Sequence, residues 1–157
     1  MTRWPVSPPA RRRSRLAVVL CGAIAAGGVP AHTDEGASAA RIDYLLHCSG
    51  CHRPDGGGAP PEVPSLRGPI GLIVGMPEGR DYMARVPEAA QAPLEDDELA
   101  RVLNWILREF SAETLPEDFQ PLDAAEVGAA RGRVLADPLR TRARIAGSYD
   151  EWDANDP

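Results

Sequence analysis

The run Cys48-Ser49-Gly50-Cys51-His52 constrains this chain more than any other: two thiols on one helical turn, followed at once by an imidazole. With three cysteines and three histidines in 157 residues, such a CxxCH arises by chance in about one sequence in a thousand, and the pattern reads as c-type haem attachment. The chemistry explains the spacing. Each thiol can add to one haem vinyl group, and the adjacent histidine is carried under the iron as axial ligand. Other uses of the same residues fare worse. A thioredoxin-like redox pair wants a βαβ context that the chain lacks. A zinc site wants four ligands, and beyond the motif only His32 and His47 offer nitrogen. A disulfide between Cys48 and Cys51 leaves His52 without a role. Haem c with its iron is the expected cofactor, with Cys48, Cys51 and His52 holding it.

The N-terminus explains the third cysteine. Arg3, Arg11, Arg12, Arg13 and Arg15 precede a small-residue apolar run, Leu16 to Val29, which ends in Val29-Pro30-Ala31. Basic region, short apolar region and small residues before a cut are the parts of a secretory signal peptide. The run is shorter than the roughly 20 residues a membrane span needs, which disfavours a retained anchor. Arg12-Arg13-Ser14-Arg15-Leu16 matches a twin-arginine signal poorly, because an arginine stands where a bulky apolar residue is wanted. Leu20, before Cys21, is larger than the residue usual at a lipoprotein cleavage site. Cleavage after Ala31 would remove Cys21 and leave one pair of cysteines. It would also leave twelve arginines against 23 acids, a formal −11 in place of −6, with no lysine anywhere. Such a balance excludes general nucleic-acid binding, which needs a basic surface. Export to the periplasm and a mature form with no stable membrane span follow as expectations.

Beyond the pentapeptide the sequence resembles the class I cytochrome c family. Ser38 to His47 reads as a helix, with Ile42, Leu45 and Leu46 at helical spacing. Tyr44 stands four before Cys48, where the family places an aromatic that packs on its last helix. That last helix reads as Glu95 to Phe110, with an apolar stripe of Leu99, Val102, Leu103, Ile106 and Phe110. Its first turn is acidic and Arg108 lies near its far end, both suited to the helix dipole. Trp105 occupies the position of the family's partner aromatic. Val63-Pro64-Ser65-Leu66-Arg67-Gly68 resembles the Pro-x-Leu-x-Gly loop, reached through Asp55-Gly56-Gly57-Gly58. The resemblance implies that the Pro64 carbonyl accepts the Nδ1 proton of His52, and that Leu66 packs on the haem. It implies an all-α fold, with three or more helices and loops wrapped around one covalently bound haem, and a short, partly helical C-terminal extension. The expected division is a signal peptide at 1–31, a haem domain at 32–112 and the extension at 113–157.

The distal ligand departs from the pattern. The family supplies a methionine from the loop before the last helix, here Arg85 to Pro93, which contains none. Met83, in a helix read at Glu78 to Val86, is preferred over Met76, in Gly75-Met76-Pro77, because it lies nearer the last helix. Without a sulfur ligand the sixth position would be open to small molecules, as in a peroxidase-like enzyme or gas sensor. In the extension, Asp123-Ala124-Ala125-Glu126 has the spacing of a capped helix start, and a second helix is expected at Asp137 to Ile145. Its Arg140, Arg142 and Arg144 read as a solvated face. The pattern resembles small periplasmic cytochromes that partner quinoprotein dehydrogenases. That points to an electron carrier or electron-transfer subunit in preference to a catalyst, with redox proteins as partners.

Overall fold

The computed structural model describes residues 32–146, with side chains from Glu35 onward; the expected signal segment and residues 147–157, including Trp152, lie outside the described residues. The described chain is helical, and Ala59 and Val63 pair only as an isolated antiparallel bridge. Helix α1 spans His32–His47 and α2, a single turn, Ser49–His52. Then come α3 (Pro69–Val74), α4 (Pro77–Arg85) and α5 (Pro87–Ala90). The long helix α6 covers Asp96–Phe110, and α7 (Ala124–Arg131) and α8 (Pro138–Ala146) complete the order.

Helix α6 is the spine. Glu95 caps it, and the Glu98 side chain returns a bond to the Glu95 backbone N–H at 2.9 Å, a reciprocal capping box built entirely from acids. Leu99, Val102, Leu103, Ile106 and Leu107 are all buried. Helix α1 packs on one flank and α7 packs against the same helix. The sequence places α1 correctly but misassigns its buried face. Ile42 and Leu46 are 53% and 70% exposed, whereas Ala40 and Tyr44 are buried. Tyr44 sets the rotation, because its ring lies 5.2 Å from that of Trp105 and 5.3 Å from that of Phe110. Trp105 and Phe110 close the triangle edge-to-face at 5.4 Å. Helix α1 also begins six positions before Ser38, since a turn without apolar residues leaves no periodic signal.

Helix α3 was not expected from the sequence. Its Pro-Ile-Gly-Leu-Ile-Val is apolar on nearly every side, and a short, fully buried helix shows no amphipathic period. The segment Arg85 to Pro93, expected as a loop, contains the helical turn α5.

The extension is built into the body. Asn104 of α6 is buried and exchanges two bonds with Leu122: its Nδ2 donates to the Leu122 carbonyl at 2.8 Å, and its Oδ1 accepts from the Leu122 N–H at 2.8 Å. Asp123 caps α7 by accepting from the Glu126 N–H at 2.8 Å. Arg80 of α4 forks onto Glu126 at 2.8 and 2.7 Å. Arg131 of α7 donates to the carbonyls of Ala90, Ala92 and Leu94 at 3.0, 2.8 and 2.7 Å, so an extension residue fixes the segment leading into α6. Asn104→Ala strands a buried N–H and a buried carbonyl at Leu122. Guanidinium titration of the haem-loaded protein should show a loss of about 2–4 kcal/mol.

Candidate haem site

The CxxCH residues begin where α1 ends. The Cys51 and His52 N–H groups donate to the Cys48 carbonyl at 3.2 and 3.0 Å, which winds the motif into a turn with both cysteine thiols free. Cys48 is half-buried and Cys51 exposed. The chain then reverses, and the Gly58 N–H donates to the His52 carbonyl at 3.1 Å. Gly56 and Gly58 hold φ of 80° and 67°, backbone that a side chain disfavours. Space forbids a Cβ as well: it would come within 2.8 Å of the Phe110 ring at Gly56, and within 2.5 Å of the Val63 carbonyl at Gly58.

This reversal delivers Pro64. His52 Nδ1 donates to the Pro64 carbonyl at 3.1 Å, which leaves the Nε2 lone pair as the ring's free donor to a metal. Burial pushes the His52 pKa below its ordinary value; the bond to Pro64 works against this, Arg142 adds to it and Glu88 opposes it. The ring is thereby kept neutral, the form that ligates. Leu66 is anchored by its own N–H to the Gly56 carbonyl at 2.8 Å, and its carbonyl accepts from the Ser111 hydroxyl at 2.7 Å.

His52, both motif cysteines, Pro64 and Leu66 line one cavity of about 460 Å³. Leu99, Val102, Leu103 and Ile106 of α6 supply apolar wall, as do Tyr82 and Met83 of α4. Met83 is 5% exposed and faces this space. Met76 is not among the lining; it packs beside Ile73, Tyr82, Ile145 and Ala146 in a separate cluster.

Extension residues Ala136 to Leu139 and Arg142 also line the cavity. Here the expected solvated arginine face needs correction. Arg140 and Arg144 are exposed, but Arg142 is 7% exposed. Arg142 shares a helix face with Ile145 and Ala146, at i+3 and i+4, and is buried with them. That spacing was visible in the sequence and marks Arg142 as an inward position. The reach of Arg131 left no such signal, because its partners are backbone carbonyls.

The residues fit a covalently held haem. The volume lies within the range of ligand pockets. The walls are apolar, and one neutral imidazole is oriented by a carbonyl acceptor. Among the described residues no group of three or more His, Cys, Asp or Glu side chains gathers as a metal cage.

Comparison with known proteins agrees. The chain is 28% identical over 142 residues to a cytochrome c-552 of Thermus thermophilus, covering 79% of this chain and 89% of that protein. It is 29% identical over 106 residues to another cytochrome c-552 of the same species, covering 56% of this chain and 81% of that one. No protein-family model matches, and no solved structure matches significantly. A covalent haem site of this type on an all-α scaffold defines a c-type electron-transfer protein. These relatives, with the CxxCH turn and its cavity, support a class I c-type cytochrome with covalently bound haem c and haem-based electron transfer.

Behind the motif, Tyr44 donates its hydroxyl proton to the Arg53 carbonyl, and its pKa is pushed up to about 12. Burial is the main cause, followed by the charge of Cys48 while its thiol is free, which a thioether would remove, and by that of Asp55. The neutral phenol belongs to the folded state. Its contribution is complete below the ordinary value of 10.0 and is lost as pH rises through about 12. Thermal melts of the haem-loaded protein should therefore fall across that window, and Tyr44→Phe should remove this component of the fall.

Proposed function

We propose that this chain is an exported electron carrier, or the electron-entry subunit of a larger assembly. It takes electrons from a dehydrogenase, of the quinoprotein kind that the sequence pattern suggests, and passes them on in the periplasm. In this reading residues 1–31 are a leader removed on export, 32–112 form the haem domain and 113–157 the extension. Cys48 and Cys51 form the thioether bonds, His52 is the proximal ligand and Met83 the distal one. Pro64 orients His52, and Leu66 keeps water from the iron.

The observation that carries this reading is the shared cavity of His52 and Met83. A buried thioether and an oriented imidazole would together hold a closed, six-coordinate iron, whose raised potential would suit electron transfer. When bound, haem c supplies a one-electron iron couple; the protein supplies ligands, burial and a docking face. Exposed Glu62, Glu88 and Asp137 stand on the cavity's rim, which supports a partner with a basic face. Among the described residues no helix is long and apolar enough to cross a membrane.

Met83→Ala should abolish the weak far-red sulfur-to-iron band of the oxidised protein and open the reduced protein to carbon monoxide. Met76→Ala should leave both properties alone. A wild-type protein that lacks the band and binds carbon monoxide rapidly would overturn sulfur ligation in favour of the open-iron enzyme or sensor. The docking expectation has a separate check. Stopped-flow electron exchange with a cationic inorganic complex should slow as salt rises, and exchange with an anionic complex should quicken. The reverse pattern would rule out acidic steering at the haem edge.

A further inference from the structure

We propose that Arg142 is the counter-ion of a haem propionate, which makes helix α8 part of the cofactor site. The inference rests on haem occupying the cavity and adds a residue that the CxxCH motif and its loop do not contain. A buried guanidinium cannot neutralise itself, since arginine stays protonated at all ordinary pH. Its charge must be met by acceptors inside the fold, and burial makes a poor match expensive. Arg142 keeps interactions within the protein. Among the described residues it is also the one arginine that lines the cavity.

The occupant brings two carboxylates on short arms, and a planar guanidinium matches a carboxylate with two parallel bonds. The other charged side chains of the lining, Glu62, Glu88 and Asp137, are acidic and would repel a propionate. Position favours the propionate over the iron. Arg142 lines the cavity together with Ala136, Asp137 and Leu139, all exposed, so this wall borders solvent, while the Arg142 charge is also felt at His52. Apolar wall is supplied instead by α6 and by Met83. The neighbouring arginines of α8 behave differently: Arg144 pairs with Glu78 at 2.6 Å on the surface, and Arg140 is exposed.

The test compares wild-type, Arg142→Gln and Arg142→Lys proteins, each with covalent haem confirmed by its pyridine haemochrome. A wild type without covalent haem would refute the haem reading itself, a result distinct from anything the variants can show. Spectroelectrochemical titration gives the midpoint potential, and resonance Raman gives the propionate-bending band. Arg142→Gln should shift the one-electron equilibrium towards the oxidised form by about three- to tenfold, at about 59 mV per tenfold, and should move the band. Arg142→Lys should recover most of the potential while still moving the band, since one ammonium cannot reproduce a two-pronged contact. If Arg142→Gln yields no haem-loaded protein, the band in Arg142→Lys decides. An unmoved band in either variant overturns the assignment. So does a changed cyanide affinity of the oxidised protein with a static band, which would place Arg142 over the iron. A lowered melting temperature with unchanged potential and band would reduce Arg142 to a packing residue, which also overturns it.

Discussion

The bond from His52 Nδ1 to the Pro64 carbonyl is the contact around which the molecule is arranged. At 3.1 Å it fixes both the tautomer and the direction of the ring, so everything that holds Pro64 in place serves the orientation of this imidazole. Gly56 and Gly58 permit the chain reversal that brings Pro64 to His52. Phe110 fills the space above Gly56 and ties the loop to the end of α6. Tyr44 joins the same aromatic cluster and bonds the carbonyl that follows His52. The crossing of α1 and α6 is thus transmitted to the imidazole through rings and carbonyls, with no long flexible side chain between them.

The extension performs a second job with a single residue type. With no lysine in the chain, every fixed cation is a guanidinium, which can serve several acceptors at once. Arg131 gathers three carbonyls before α6, and Arg80 spans α4, Glu126 and the Gln120 carbonyl. These forks hold the segment that closes the cavity, although it is short of apolar side chains of its own. Most of these groups are partly exposed, so their worth lies more in fixing geometry than in raw stability.

Much of this was legible in the sequence, for reasons that differ from residue to residue. CxxCH, the glycine-rich reversal and Pro64 are visible because their chemistry demands particular residues at fixed spacing. Helix α6 is visible because it is half-buried along its whole length, which imprints a period. Helix α3 carries no period because it is covered on nearly all sides. The spacing of Ile42 and Leu46 points to the wrong face of α1 because Tyr44, one aromatic with two aromatic partners, outweighs two aliphatic residues in setting the rotation. Composition alone makes Arg142 a surface charge, because arginines are mostly solvated. Its spacing to Ile145 and Ala146 said otherwise.

The position of helix α8 has a consequence for timing. Cys48, Cys51 and His52 leave the ribosome ninety residues before Arg142, so the thiols exist as a local turn well before the last side of the cavity does. Residues 136 to 139 and Arg142 complete the lining only afterwards. Sequence order thus separates the two sides of the cavity: the attachment residues are made first, and the wall that α8 adds comes long after them.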